Sequence, residues 1–267
     1  MDGSDIIAHQ QKDIIGRLEK DFAKLRQENS DLHNQMELIT SNMVVDRQFE
    51  EITLPILINQ RLAGQNIAVV ASNKSYLDKK WCKALIDNLK EAGATIHSVV
   101  ALPQDLGLTD EAKRERIVTE LGISLEKDRE LFPFLTKRLA REIGIQQEKR
   151  VITVLEEIGI ARVFSGVPGP ISSIIVIGGG TSPKEGTLDK LMIQQWKRLG
   201  LRVIGVEPND TKVSFMFDYQ KLGLSTVDSI DKLPSQVTLI WLLQQGKEGN
   251  YGMKSTAEQL FPDIITY

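Results

Sequence analysis

The residues best placed for chemistry are Gly178, Gly179, Gly180, Thr181 and Ser182, set between a β-branched run at 174–177 and a helix-patterned stretch at 188–199. Glycines at a strand-to-helix turn let bare backbone amides approach a phosphate, and the dipole of the following helix favours the anion. Glu207, at the end of the next strand-like run, stands near where an acid would hold a ribose, somewhat late in the chain. The motif is partial: Pro183 occupies the place of the third glycine of a dinucleotide fingerprint, and no Gly-Lys-Ser/Thr follows. A nucleotide or phosphate ligand at Gly178–Ser182 is one expectation. A tight turn that binds nothing is the other.

The remaining reactive residue types have plainer explanations. Asp228 and Asp231, in Ser225-Thr226-Val227-Asp228-Ser229-Ile230-Asp231, could form a carboxylate pair, but acids in a turn more often cap helices. Cys82 lies on the apolar side of a helix with Leu85, Ile86 and Leu89, which makes it a buried structural thiol. His97 alternates within an apolar strand, and His9 and His33 fall on outer positions of a heptad stretch. There is no Gly-x-Ser-x-Gly elbow, so no catalytic residues are expected and the chain reads as non-enzymatic. Soft ions such as Cu(I) need clustered thiolate or thioether donors, and nothing clusters so; no metal ligands are expected. Met36 and Met43, seven residues apart, would face their own copies across a dimer, which reads as packing.

The elements that hold these residues follow from periodicity. Residues 67–71 (IAVVA) are a strand of the kind buried on both faces of a parallel sheet. Leu77, Trp81, Leu85 and Leu89 mark a helix, Gly93 ends it, and residues 95–102 return as a strand. The strand, turn, helix and strand from 174 to 206 copy this unit, including the helix exits LKEAGA and WKRLGL. Between the units, 103–162 is charged and helical in period, with two or three helices at 111–121, 130–143 and 148–158. A short strand at 224–227, a helix at 235–245, a glycine-rich turn at 249–252 and a short helix at 255–260 complete the chain. The fold class is α/β: residues 49–267 form a Rossmann-like, mostly parallel doubly wound sheet with a helical insertion at about 103–162.

Residues 1–48 are a coiled-coil stalk. Ile15, Phe22, Asn29, Met36 and Met43 fall at a, with Leu18, Leu25, Leu32 and Ile39 at d, for about five heptads. Asn29 is the one polar residue in the seam, and a buried amide there favours two parallel strands in register. The alternative is a lone amphipathic helix folded against its own body. At 1.5 Å per residue such a stalk is on the order of 50 Å long.

The 267 residues, 41% hydrophobic and 26% charged, suffice for one sizeable core beyond the stalk. A net charge of -3 leaves no electrostatic footprint for nucleic acid. One cysteine excludes an intrachain disulfide, and no run approaches the roughly twenty apolar residues of a spanning helix.

Residues 224–262 carry Ser225-Thr226-Val227-Asp228, an apolar helix after Gln236, and Gly249-Asn250-Tyr251-Gly252 followed by Ala257 and Pro262. With residues 67–72, Ala92-Gly93-Ala94 and 174–179, they resemble the bacterial copper transporter family of the mycobacterial outer-membrane type. Thr226, Asp228, Tyr251 and Gly252 serve as its signature positions here. The resemblance implies an envelope protein with a spanning helix, then a coiled coil, then an α/β domain outside the cytoplasmic membrane. It implies copper homeostasis by family name, and for close relatives a partner in envelope integrity and cell division. No set of metal ligands transfers with it, so copper is implied by resemblance alone. This sequence opens directly on the heptads, so membrane attachment is expected through a segment that it lacks. The expectation is a membrane-anchored homodimer on the extracytoplasmic side that binds an envelope protein.

Overall fold

The computed structural model describes residues 3–124, 130–145, 149–181 and 187–262, and of 3–15, 18, 19, 47 and 165 the backbone alone. The chain divides into two compact units, Met1–Thr53 and Leu54–Tyr267.

A single helix, α1 (Gly3–Ile58), occupies the first unit and continues into the second. Phe22, Leu25, Leu32, Met36, Ile39 and Met43 are each 59–66% exposed, and Asn29 is exposed beside them. The side chains of Ile15 and Leu18 lie outside the described residues. The heptad frame ends near Met43, but the helix does not. It passes through Pro55, whose carbonyl still accepts from Asn59 N at 3.0 Å. Phe49 and Ile52, beyond the heptads, are 67% and 70% exposed. Leu54, Ile58 and Leu62 enter the core of the second unit instead.

Among the described residues of that unit, seven strands form one sheet: β1 (Asn66–Ala71), β2 (Thr95–Ala101), β3 (Arg162–Ser165), β4 (Ser173–Ile177), β5 (Arg202–Val206), β6 (Ser225–Val227) and β7 (Asn250–Tyr251). Their order is β3-β2-β1-β4-β5-β6-β7, and every pairing is parallel except β2 with β3. The chain builds outward from β1 in one direction and from β4 in the other, so the order reverses between those two strands.

Alternation sorts the strand residues onto two faces. Ala68, Val70, Val100, Ile174, Val176 and Val203 point into one core layer. It is covered by α3 (Glu111–Leu121), α4 (Leu131–Gly144), α5 (Arg150–Glu157), α6 (Thr187–Arg198) and α7 (Met216–Lys221). Ile67, Val69, Ala71, Ile175, Ile177 and Ile204 point into the other, under α2 (Lys80–Glu91) and α8 (Leu233–Gln245). Local signals fix the helix ends. Asp110 caps α3 by accepting from Lys113 N at 3.2 Å, and Gly122 ends it in the left-handed region at φ 60°. The buried Glu142 carboxylate of α4 accepts from Val151 N and Ile152 N, both at 2.9 Å, and so caps α5.

Three elements depart from the sequence reading. Strand β3 follows the helices of the insertion and pairs antiparallel at the sheet edge, where no element was expected. Residues 249–252 contain β7, not merely a turn, because Thr226 N donates to Gly249 O and Asp228 N to Tyr251 O. Residues 255–260 form no helix; Glu258 N donates to Asn250 O and Gly252 N to Gln259 O, so this stretch folds along β7.

Gly205 sits on β5 where an alternating side chain would point into the first layer. A Cβ there would lie 2.3 Å from the Tyr219 ring. Gly205→Ala is therefore expected to cost ~1–3 kcal/mol in urea unfolding through overpacking. An unchanged midpoint would mean that Tyr219 does not lie across β5.

Candidate functional site

Strands β1, β4, β5 and β6 are parallel and end on one side of the sheet, so Ser72, Gly178, Glu207 and Asp228 share that edge. Open α/β sheets bind ligands at this edge where the strand order reverses, here between β1 and β4.

The glycine loop is at the expected place, but the chain itself occupies it. Gly178 N donates to Val206 O at 2.8 Å, Gly180 N donates to Val213 O at 3.0 Å, and Val213 N returns a bond to Gly180 O at 3.0 Å. Two of the three glycine amides are thus bonded to backbone. A Cβ on Gly178 would stand 2.1 Å from Tyr219 Oη; one on Gly179, at φ 95°, would stand 2.6 Å from the Thr211 side chain. The small residues accommodate protein side chains. Thr181 is exposed beyond them, and Ser182 lies outside the described residues.

Glu207 is fully buried, and both of its oxygens are engaged. Oε1 accepts from Ser214 Oγ and from Lys254 Nζ, each at 2.7 Å, and Oε2 from Phe215 N at 2.9 Å. Lys254 Nζ also donates to Pro208 O at 2.9 Å. One strand to the side, buried Asp228 Oδ1 accepts from Met253 N at 2.7 Å and Ser229 Oγ at 2.8 Å, and Lys254 N lies 3.2 Å from both oxygens. Gly252, at φ 137°, allows this approach: a Cβ would fall 2.2 Å from Asp228 Cγ. Thr226 Oγ1 donates to Asn250 Oδ1 at 2.9 Å, and Tyr251 Oη donates to Glu248 O at 3.2 Å. Thr226 and Asp228, the close approach at Gly252 and the pairing of Tyr251 with Val227 therefore fasten the 249–254 strap to the sheet. Asp231, the other acid of that turn, accepts from Asn209 N at 2.5 Å.

One buried carboxyl near the switch point was not singled out by sequence. Asp189, in the first turn of α6, is 3% exposed; its Oδ2 accepts from Tyr219 Oη at 2.6 Å and its Oδ1 from Gln104 Nε2 at 3.2 Å. Ser72, at the end of β1, faces the same carboxyl. Burial pushes Asp189 up to about 6, against the lowering effect of these neutral donors. Burial, with Asp189 alongside, holds the Tyr219 phenol well above its usual range. An available signal was an acid on the apolar face of a helix, between Leu188 and Met192.

The model of one protein family, described as copper transport outer membrane protein, MctB, matches residues 6–262. The chain belongs to this family. Comparison with curated proteins and with solved structures finds no match. Among the described residues of this copper transport family member, no three His, Cys, Asp or Glu side chains converge on a metal position. Cys82 is fully buried, and burial pushes its thiol up to about 11, away from the thiolate a soft ion needs. Met192 and Met216 are buried in the opposite core layer. His97 is buried with Nδ1 3.1 Å from Ser98 Oγ, and burial, aided by Lys149, holds its imidazole below the usual range. No described helix is long and apolar enough to cross a membrane.

Two outcomes test this network. Because the folded state raises the Asp189 pKa, its contribution to stability is greatest below the unfolded value, near pH 4, and falls as pH rises to about 6. Asp189→Asn keeps an acceptor for Tyr219 and should remove that part of the decline, so the variant melts higher than the native chain at pH 7.5. Parallel melting curves from pH 4 to 7.5 would refute the assignment. Lys254→Met strands the Glu207 charge and should cost about 3–5 kcal/mol. Adding Glu207→Gln should recover part of that loss in a double-mutant cycle.

Proposed function

We propose that this member of the copper transport family is a non-enzymatic, dimeric module of the cell envelope that binds a protein partner. The leading helix pairs with a second copy as a parallel coiled coil through Ile15, Leu18, Phe22, Leu25, Asn29, Leu32, Met36, Ile39 and Met43. The two Rossmann-like domains are thereby tethered together on the extracytoplasmic side, with attachment to the membrane through a segment outside this sequence. The single observation that carries this reading is the row of a and d side chains on α1, six of them 59–66% exposed in one chain. A continuous apolar stripe of that kind needs a covering surface. Asn29 at an a position supports two strands in register.

The strand-end crevice supports the non-enzymatic part. Its carboxylates Glu207 and Asp228 are saturated by donors of the same chain, and its glycines are filled by Tyr219 and Thr211. A substrate entering there would first have to displace the 208–215 loop or the 249–254 strap. The family description favours a second reading, in which the protein itself carries copper. The soft donors that a dimer would bring together are Met36 and Met43 with their symmetry mates. On the favoured reading these thioethers pack the seam, and the module serves copper homeostasis without holding the ion.

Sedimentation equilibrium should give a dimer at micromolar concentration, and Leu25→Asp combined with Leu32→Asp should give a folded monomer. A monomeric native chain would overturn the proposal. Calorimetric titration with Cu(I) under reducing conditions separates the second reading. A tight stoichiometric site lost in Met36→Leu/Met43→Leu would establish copper carriage.

A further inference from the structure

A groove of about 680 Å³ in the second unit lies away from the strand ends, on the flank of the sheet beside β3. Ile96 and Val99 of β2 line it, Ile86 of α2 lines one wall, and Phe164 and Val167 line the opposite rim. Those two rim residues are 55% and 58% exposed. The α2 wall carries charge. Lys90 pairs with Asp87 at 3.8 Å, whereas Lys83 has no carboxylate within ion-pair distance among the described residues.

The groove is continuous with an open backbone edge. Strand β3 is outermost in the sheet and antiparallel to β2, with Phe164 opposite Val99 and Ser165 opposite Ser98. Gly166 N donates inward to His97 O at 2.9 Å. In an antiparallel pair inward and outward groups alternate, so Gly166 and Phe164 turn toward β2 while Val163 and Ser165 turn their N–H and C=O outward. Among the described residues those outward groups meet no partner in the sheet.

We propose that the β3 edge and its groove receive an extended segment of a partner protein, added to the sheet as an eighth strand. This rests on the partner-binding reading above and specifies its surface. The chemistry selects the occupant. Unpaired backbone groups spaced along a strand are satisfied by another extended chain and not by a helix. Alternation then places every second side chain of that segment on the groove's face of the sheet, against the outer side of Phe164. Lys83 on the rim calls for a carboxylate beside the inserted aliphatic residue. Pro168 and Pro170 follow β3 closely and restrict the added pairing to a short stretch, the length of a peptide motif.

Panning a random dodecapeptide phage library on the intact chain tests this directly. Enriched sequences should alternate aliphatic residues and include an acid, and a fluorescein-labelled synthetic copy should bind with its amide perturbations confined to β3 and α2. Phe164→Glu, at an exposed position, should weaken binding tenfold or more, and Lys83→Ala several-fold. Ser165→Pro removes an outward N–H while leaving the groove intact and should weaken it comparably; melting curves confirm that each variant is folded. The proposal fails if no sequence is enriched, or if enriched peptides bind Phe164→Glu as well as the native chain. It also fails if Phe164→Glu alone changes the sedimentation of the native dimer, which would make the groove a contact between copies. Sedimentation of the same samples keeps the two readings apart. A dimer that binds no peptide refutes only the groove, and a monomer that binds one refutes only the coiled coil.

Discussion

Glu207 is a carboxylate with no access to water, and the carboxyl-terminal part of the fold is arranged around supplying it with donors. A buried charge is tolerated only when it is paired and its remaining lone pairs are bonded. Ser214 and Phe215 come from the loop that follows β5, and Lys254 comes from the strap that follows β7. One side chain therefore ties two segments, about forty residues apart in sequence, to the end of one strand. Asp228 repeats the device on β6, accepting from consecutive backbone amides of the same strap. These bonds hold the strap where β7, only two residues long, could not.

That arrangement has a consequence for the crevice. In a sheet whose order reverses between β1 and β4, the strand ends open a cleft that a cofactor ordinarily fills. Here the loop at 208–215 crosses the glycine turn, Tyr219 reaches back to Asp189, and the strap lies over Glu207. The polar groups that would meet a ligand are instead paired with one another. Asp189 differs from Glu207, which Lys254 pairs, because its described partners, Tyr219, Gln104 and Ser72, are all neutral. Without a cation beside it, burial raises its pKa.

Much of the sheet was legible because its signals are strong. Residues 67–71 and 174–177 are unbroken apolar runs rich in Ile and Val, and the strands found there are fully buried on both faces apart from Asn66. Helix α3 was legible to the residue because Asp110 and Gly122 mark both ends. Strand β3 was not, since Arg162, Val163, Phe164 and Ser165 show no long apolar run and owe their strand state to pairing with β2. Nor was α7, at six residues too short to display a helical period. The glycine turn illustrates a different limit. A glycine reports that something approaches the backbone closely, but not whether a phosphate or a tyrosine does so. Deciding between them needed Tyr219, which lies about forty residues further along the chain.

The two units meet opposite demands with the same residue types. In the second unit the apolar residues are enclosed, and charge is buried only where donors await it. In the first, a helix of mostly polar composition leaves its regularly spaced Leu, Ile, Phe and Met side chains uncovered. Helix propensity alone does not justify so long a solvent-exposed helix, since most helical stability in proteins comes from packing an amphipathic face. The stripe changes frame after Met43, where Val45, Phe49, Ile52 and Ile56 continue it at spacings of four, three and four, outside the heptads that contain Asn29. A seam that pairs through Met43 would thus leave a second apolar face on the same helix, next to the residues Leu54 and Ile58 that secure its end in the core. The covering of α1 is accordingly a matter of two faces. Asn29 lies within the first, and the break in the heptads keeps the second out of the same frame.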